Sequence, residues 1–235
     1  MAERQVVLIT GATGPMGRAT TARFAVDGAR LALVGTDLGR LEAAAAGAGL
    51  AADASLLVPA DLRSRDAAAA MAATVIERFG RIDVLLHLVG GWSGGTAVVD
   101  LDPDEIRRML DQHLWTTVNT LAAVVPGMVE RGFGRVATVS TLATANPGPR
   151  GASYVMAKAA EEVLLRSLAR EVGGSGVTAN VLAVKTIDDP SKREPGSSPA
   201  KGSTSPAEIA EILAFLASPA AASVNGQRIA LEGRG

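Results

Sequence analysis

Cysteine is absent from this 235-residue chain, and aromatic residues are scarce. Without cysteine there are no disulfides, no thiolate metal sites and no cysteine nucleophile. Phe, Trp and Tyr together make up 3% of the residues, and Tyr154 is the single tyrosine. The core must therefore be built from Ala, Val, Leu and Ile, and any reaction that needs a phenol has one candidate.

The chain also lacks a strong net charge and has few histidines. The 23 Lys and Arg residues nearly balance the 24 Asp and Glu residues, so the net charge is -1. This balance argues against a nucleic-acid-binding protein and against a membrane-surface protein. The two histidines, His87 and His113, lie in different segments without the spacing of metal ligands, so we expect no metal site.

No apolar run approaches the roughly 18–20 residues that are needed to span a bilayer. We therefore expect the 48% of hydrophobic residues to lie on buried sheet and helix faces. The residues that precede the apolar stretch 6–9 do not have the pattern of a signal peptide. The sequence thus predicts a cytoplasmic protein.

Short β-type runs alternate with longer helical stretches along the whole chain. This alternation predicts one α/β domain over residues 1–235, a doubly wound parallel sheet of about seven strands with helices on both faces. The predicted strands are residues 6–9, 31–34, 56–58, 82–88, 135–139, 177–182 and 228–231. Asp102-Pro103 and Ser205-Pro206 each combine a capping side chain with proline in the first turn, which predicts two helix starts.

The segment 188–204 interrupts the alternation. It is rich in Pro, Ser, Gly and cationic residues and has no aliphatic side chain larger than Ala. Because it follows a strand, it is either a mobile lid over a site or an ordinary solvent-exposed connection.

A glycine-rich turn follows the first predicted strand. Glycines let the backbone approach a pyrophosphate closely, and the N–H groups of the following helix start attract an anion. Tight turns use the same spacing for steric reasons alone, but the position between a strand and an amphipathic stretch favours a dinucleotide site. The candidate cofactor-binding residues here are Gly11, Thr13, Gly14, Pro15, Met16 and Gly17.

The second predicted strand ends in Gly35-Thr36-Asp37, where dinucleotide-binding proteins often carry an acidic residue that holds the ribose of NAD. If Gly35 takes this place, a 2'-phosphate fits and Thr36 can bond it. If Asp37 folds back, NAD is favoured. On balance the residues favour NADP, with NAD left open. Asp61-Leu62, after the third strand, either meets the adenine edge or is an ordinary helix start.

Tyr154 and Lys158 lie four residues apart, hence on one face of a helix. An ordinary tyrosine has a pKa of about 10, and a neighbouring ammonium together with a bound nicotinamide cation would lower it. Tyr154 can then protonate an atom that hydride transfer makes basic. Ser140 and Thr141 bring hydroxyls to the end of the fifth strand, with Thr141 thirteen residues before the tyrosine.

These motifs resemble the short-chain dehydrogenase/reductase family over residues 6–233. The resemblance implies that Tyr154 is the acid and that Lys158 modulates its pKa and anchors the ribose. It places Thr141 at the family's serine position, with Ser140 as the neighbour that could substitute. It also implies further cofactor contacts after the fourth and sixth strands, at Val89, Gly90, Gly91, Val184, Thr186 and Ile187.

The chain departs from the family pattern at several points. Pro15 stands where a glycine is usual, and His87-Leu88-Val89-Gly90 replaces an Asn-Asn-Ala-Gly segment. His113 takes the place of a helix asparagine, and Val184-Lys185 replaces Pro-Gly. These changes weaken the family's usual proton-relay arrangement. His113 is therefore either a packed helix residue or a relay, whereas we expect His87 to be structural.

The segments around residues 89–95, 114–117, 154–158 and 184–190 are similar to the quinonoid dihydropteridine reductase branch of the family. In that branch Tyr and Lys act with NADH on a conjugated bicycle. Gly35 departs from the branch, which has an acidic residue there, and so does Thr141, which restores a hydroxyl. Trp92 either stacks on a flat substrate or anchors the glycine-rich loop around it.

The sequence therefore predicts an NAD(P)-dependent oxidoreductase that transfers hydride to a C=O or C=N bond of a small, planar substrate. One alternative is a general carbonyl or 3-oxoacyl reductase. Another is a non-catalytic dinucleotide-binding regulator or scaffold, which the missing amides favour and the intact Tyr/Lys pair disfavours. By resemblance we also expect a homodimer or homotetramer that assembles through helices around residues 107–129 and 152–172.

Overall fold

A computed structural model describes residues 4–189, 193, 197, 198 and 200–233 of the chain. Seven strands form one parallel sheet. They are β1 (Val6–Thr10), β2 (Arg30–Gly35), β3 (Ser55–Pro59), β4 (Val84–His87), β5 (Gly134–Thr141), β6 (Val177–Val184) and β7 (Arg228–Leu231). The order across the sheet is β3-β2-β1-β4-β5-β6-β7. The predicted doubly wound α/β fold is thereby confirmed.

Seven α-helices connect these strands. They are α1 (Pro15–Val26), α2 (Leu38–Gly47), α3 (Arg65–Phe79), α4 (Pro103–Leu110), α5 (Thr116–Glu130), α6 (Ala152–Glu171) and α7 (Pro206–Ala217). Both predicted helix starts are confirmed. The Asp102 carboxylate accepts a hydrogen bond from the backbone N–H of Asp104, and Ser205 forms a reciprocal capping box with Glu208.

Successive strand residues point alternately to the two faces of the sheet and form an apolar layer on each face. On one face, Val6 and Leu8 of β1 pack with residues of α3, α5 and α6. On the other, Val7 and Ile9 pack with residues of α1, α2 and α7. Strands of a parallel sheet are buried on both faces, which is why the aliphatic residues of this chain suffice to fill its core.

Strand β4 is shorter than the predicted 82–88. Ile82 and Leu88 are apolar and largely buried, so the sequence pattern extends over them. The backbone at Asp83 still bonds to both neighbouring strands, but its carboxylate accepts a hydrogen bond from the N–H of Val6 and pairs with Arg81. The regular pairing of β4 with β1 therefore starts after Asp83, at Val84. The apolar pattern of the sequence alone does not reveal this start.

Two glycines in the turn after β1 permit a very close approach of backbone segments. A Cβ at Gly11, which has a φ of 67°, would lie 2.4 Å from the carbonyl oxygen of Leu88. A Cβ at Gly17 would lie 2.3 Å from the carbonyl oxygen of Gly11. These contacts bring the end of β1, the start of α1 and the end of β4 together at one point. The connections from β1 and from β4 run to opposite sides at this point, because β2 lies on one side of β1 and β4 on the other. Such a switch in strand order forms a crevice at the carboxyl ends of the strands.

The ends of the segment 188–204 are bonded to each other. The N–H of Asp188 donates to the carbonyl of Thr204, and the N–H of Thr204 donates to the carbonyl of Thr186. Asp188 also pairs with Arg193 at 3.2 Å. Residues 190–192, 194–196 and 199 of the predicted lid lie outside the described residues. Among the described helices, none is long and apolar enough to cross a membrane.

Candidate active site

A cleft of about 1190 Å³ opens where the strands of the sheet end. With one exception, the residues that the sequence predicted to bind the cofactor, to contact the substrate or to act in catalysis all line this cleft. Those that line it are Gly11, Thr13, Gly14, Pro15, Met16, Gly17, Gly35, Thr36, Asp61, Leu62, Val89, Gly90, Gly91, Trp92, His113, Ser140, Thr141, Tyr154, Lys158, Val184, Thr186 and Ile187. Asp37 is the exception.

The glycine turn forms one end of the cleft and fits a phosphate group. Gly14 caps the amino terminus of α1, and among the described residues no side chain forms a capping hydrogen bond with that first turn. A Cβ at Gly14 would meet only the carbonyl oxygen of Gly11, at 3.5 Å, so the face of this turn is open. Unsatisfied N–H groups at the positive end of a helix are suited to a pyrophosphate.

The end of β2 presents no carboxylate to the cleft. Gly35 and Thr36 line it, whereas the Asp37 side chain caps α2 by accepting a hydrogen bond from the N–H of Arg40 at 2.9 Å. The side of the cleft next to Gly35 is also lined by Arg40, which the sequence analysis missed. Its signal was a cation five residues after Gly35, in the first turn of the following helix.

The side chains of Asp61 and Arg63 form an ion pair. The guanidinium of Arg63 donates to both carboxylate oxygens of Asp61, at 2.6 to 3.1 Å, and the pKa of Asp61 is lowered chiefly by this hydrogen bonding. Both residues line the cleft. The carboxylate at this end is thus paired with a neighbouring cation.

Tyr154 and Lys158 project from the first turns of α6 into the middle of the cleft. Lys158 is buried, and its ammonium donates to the carbonyl of Val139 at 2.8 Å and to the carboxylate of Glu161 at 2.7 Å. Burial, with a contribution from the charge of Glu161, raises the pKa of Tyr154 to about 12. The tyrosine is therefore a neutral phenol at physiological pH.

Glu161 is a second residue that the sequence analysis missed. It is fully buried, and its other carboxylate oxygen bonds to the hydroxyl of Thr138. The Thr138 hydroxyl also lies 2.9 Å from the carbonyl of His87, and it has one hydrogen to share between the two acceptors. The available signal was spacing, because residues three and seven positions before Glu161 are Lys158 and Tyr154, on the same face of α6.

The two hydroxyls at the end of β5 face different surroundings. Ser140 donates to Glu162 at 2.6 Å, and Glu162 also accepts from Arg228 at 2.9 Å, so the Ser140 hydroxyl is bonded to the middle of α6. The Thr141 hydroxyl instead accepts a hydrogen bond from the N–H of Ala143 at 3.2 Å. This leaves the hydroxyl hydrogen of Thr141 available to a ligand in the cleft.

His113 lies in a single π-helical turn (Asp111–Trp115) between α4 and α5. Such turns recur at functional sites. Its Nε2 is 3.1 Å from the carbonyl of Gly91, and its ring packs edge-on against Tyr154 with centroids 5.6 Å apart. Its Nδ1 has no hydrogen-bond partner within the described part of the chain. Burial and the charge of Lys158 lower the pKa of His113 to about 3, so the ring is neutral.

His87 is packed inside the sheet as a structural residue. Its Nδ1 lies 2.9 Å from the hydroxyl of Thr10, and its Nε2 lies 3.3 Å from that of Thr116. Burial, then the charge of Lys158, lowers the pKa of His87 to about 3. Across the described residues, no group of three or more His, Asp and Glu side chains is arranged to hold a metal ion.

The loop after β4 carries Trp92 over the other end of the cleft. The ring packs so closely on Gly94 that a Cβ there would lie 2.6 Å from it, yet 69% of the residue is exposed. The N–H of Gly95 donates to the carbonyl of Arg150, and Ser93 donates to Glu105. Trp92 therefore both anchors its loop and presents an aromatic surface to the cleft.

Comparison with known proteins agrees with this geometry. A family model described as Enoyl-(Acyl carrier protein) reductase matches residues 11–233. The chain is 35% identical over 239 residues to a subunit of (2S)-[(R)-hydroxy(phenyl)methyl]succinyl-CoA dehydrogenase from Thauera aromatica, with 96% of this chain and 92% of that protein covered.

The chain belongs to the short-chain dehydrogenase/reductase family.

Other members of the family are similar over nearly their whole length. The 3-oxoacyl-[acyl-carrier-protein] reductase of Thermotoga maritima is 28% identical, with 98% of this chain and 97% of that protein covered. The solved structure of levodione reductase is 28% identical with a TM-score of 0.88, and the similarity covers 97% of this chain and 96% of that one. The protein is thus an NAD(P)-dependent short-chain dehydrogenase/reductase.

The burial of His87 predicts a loss of stability in acid. Its pKa is about 3 in the folded protein and 6.5 as the ordinary value, so as the pH falls the unfolded chain takes up the proton first. The contribution of the neutral His87 ring to the free energy of unfolding is complete above about pH 6.5. It is lost as the pH falls towards 3, at up to about 1.4 kcal/mol per pH unit. We expect urea unfolding of His87→Gln to give a free energy that depends less steeply on pH in this window than that of the wild type. Parallel curves would contradict the assignment.

Proposed function

We propose that the protein transfers a hydride between NADP and a C=O or C=N bond of a small substrate, with Tyr154 as the proton donor. The observation that carries this proposal is the meeting of Tyr154, Lys158 and Thr141 in one cleft with the glycine turn. Val89, Gly90, Gly91, Val184, Thr186 and Ile187 would line the nicotinamide end of the bound cofactor. The single domain over residues 1–235 is part of the same proposal.

The residues of the cleft divide the reaction between them. The bound cofactor would supply the hydride to the substrate carbon. Tyr154 gives its phenolic proton to the substrate oxygen or nitrogen, which gains the electron pair of the double bond, and the phenolate regains a proton from water. The ammonium of Lys158 stabilises the phenolate and reaches the ribose. Thr141 donates its hydroxyl hydrogen to the acceptor atom, a role for which it is better oriented than Ser140, which bonds to Glu162.

The preference for NADP rests on the end of β2. Gly35 packs against the side chains of Thr13 and Leu41 and places no carboxylate there, and the Asp37 carboxylate, which would repel a 2'-phosphate, is committed to the cap of α2. Arg40 and Thr36 line the same corner and can bond a phosphate there. NAD remains the alternative cofactor.

Two substrate classes are supported by different observations. A planar, dihydropteridine-like substrate is supported by the exposed ring of Trp92 at the mouth of the cleft, although the relatives described above do not include a dihydropteridine reductase. A carbonyl or 3-oxoacyl substrate is supported by the names of those relatives. Arg108 and Arg150 line the cleft as well and would suit the anionic groups of an acyl thioester.

We also infer a homodimer or homotetramer. Apolar side chains of α5, α6 and the adjoining turn are exposed, including Trp115, Val129 and Val163. They flank a shallow apolar groove of about 260 Å³ between α5 and α6. An apolar surface of this kind on two long neighbouring helices is suited to burial against a second copy of the chain.

Replacement of Tyr154 tests the function. With NADPH and a panel of diketones, quinones, 3-oxoacyl thioesters and a quinonoid dihydropterin, the wild type is expected to oxidise the cofactor with at least one of them. Tyr154→Phe is expected to lower kcat/KM by about 100-fold or more, because it removes the proton donor. The control is Met156→Leu, on the exposed side of the same helix, which is expected to retain turnover. Full activity of the Tyr154→Phe protein would exclude the proposed role.

Replacement of Arg40 tests the cofactor preference. Because it removes a charge-assisted hydrogen bond to the 2'-phosphate, Arg40→Gln is expected to weaken NADPH binding by about tenfold and to leave NADH binding nearly unchanged. Arg65→Gln removes an exposed cation at the start of α3, outside the cleft, and serves as the matched control. Equal effects of Arg40→Gln on both cofactors, measured by fluorescence titration, would favour NAD.

A further inference from the structure

Helix α6 carries two adjacent glutamates that are both buried, an uncommon feature for charged side chains. They have different partners. Glu162 accepts hydrogen bonds from Arg228, Ser140 and Thr144, beneath the carboxyl end of the sheet. Glu161 pairs with Lys158 instead, and its side chain has no exposed surface. The two carboxylates therefore serve different parts of the molecule, although they are consecutive in the sequence.

Glu161 is the anion that faces Lys158. From β4 and the π turn, His87 and His113 face the ammonium as neutral rings, because the pKa of each is lowered to about 3. From β5, the facing groups are the carbonyl of Val139 and the hydroxyl of Thr138. The other cation of this region, Arg228 on β7, is paired with Glu162. Within the described residues, the charge of Lys158 is thus offset by Glu161 alone.

This pairing bears directly on Tyr154. A lysine beside a tyrosine stabilises the phenolate, but a carboxylate at 2.7 Å from that lysine cancels much of the effect. Glu161, and not Glu162, contributes to the raised pKa of Tyr154. Burial in turn raises the pKa of Glu161 itself, while Lys158 and Thr138 favour its ionised form.

We propose that Glu161 is a positioning residue that offsets the charge of Lys158 and holds Tyr154 as a phenol, so that the site favours reduction over oxidation at neutral pH. The offset of the Lys158 charge is inferred from the ion pair that Lys158 and Glu161 form within α6. The preference for reduction rests on the proposed function. A neutral phenol is ready to donate a proton, whereas oxidation of an alcohol needs the phenolate as a base.

The single tyrosine makes the offset of the Lys158 charge measurable without a substrate. The ultraviolet absorbance of tyrosinate reports Tyr154 alone, and circular dichroism recorded in parallel shows whether the protein is folded at each pH. Glu161→Gln keeps the size of the side chain and one acceptor oxygen but removes the charge. We expect its tyrosinate midpoint to fall by at least about one pH unit, a tenfold change in the acid dissociation constant. An unchanged midpoint would overturn the proposal, since Glu161 would then not carry the offsetting charge.

Glu162→Gln is the matched control, because it removes the charge of another buried glutamate from the next position. Its midpoint is expected to shift less than half as far, and equal shifts in the two variants would overturn the specific role of Glu161. If Glu161→Gln does not fold, Glu161→Met gives an uncharged side chain of similar volume, with the same expected shift.

The kinetic consequence is tested separately. In the active enzyme, the pH at which oxidation of an alcohol reaches half of its maximal kcat/KM is expected to be lower in Glu161→Gln than in the wild type. Thermal unfolding distinguishes this change from a loss of folded protein. A pH profile that keeps its position while kcat falls would indicate a merely structural role. Absence of turnover in the wild type would refute the proposed function and leave the tyrosine titration as an independent result.

Discussion

The buried ammonium of Lys158 is the constraint around which the candidate site is arranged. An unpaired charge in a protein interior is very costly, so a buried lysine requires partners. The carbonyl of Val139 supplies one and the carboxylate of Glu161 supplies another. The carbonyl is available because α6 packs on β5, whereas Glu161 lies three residues after Lys158 on the same helix. The site thus depends on the register between this helix and the sheet.

The sheet determines where that ammonium meets a cofactor. All seven strands end at one edge, and the chain diverges on the two sides of β1. Gly11 and Gly17 allow the turn after β1, the first turn of α1 and the end of β4 to converge more closely than any side chain would permit. The phosphate-binding end of the cleft is therefore a consequence of backbone packing, whereas the reactive end is a consequence of side chains on α6 and β5.

Most of the fold follows from local patterns in the sequence. The seven strands and the two capped helix starts were predictable because apolar runs, capping side chains and a following proline are local features of the sequence. The shortened β4 was not, since it depends on a bond from the Asp83 side chain to a residue far away in the sequence. The segment 188–204 has no apolar pattern from which a structure could be derived.

The candidate site was predictable to a similar extent. Tyr154, Lys158 and the glycine turn have characteristic spacings, and they meet in one cleft. The sequence near Gly35 did not determine whether Asp37 faces a cofactor or caps α2. The direction of its side chain depends on the backbone of a single turn, and in the structure it caps α2. Glu161 was overlooked because a glutamate in a helix is usually exposed, and its burial becomes evident only when α6 is packed against β5.

We propose that the phenol of Tyr154 lies beside the bound nicotinamide and gives up its proton there. Protein labelled with carbon-13 at the hydroxyl-bearing ring carbon of tyrosine would give a single NMR signal, since Tyr154 is the one tyrosine. At a fixed, mildly alkaline pH, saturation with oxidised cofactor is expected to move this signal towards its phenolate position, because the nicotinamide cation stabilises the phenolate. Reduced cofactor is expected to leave the signal at its phenol position. The same signal position with both forms of the cofactor would contradict the account.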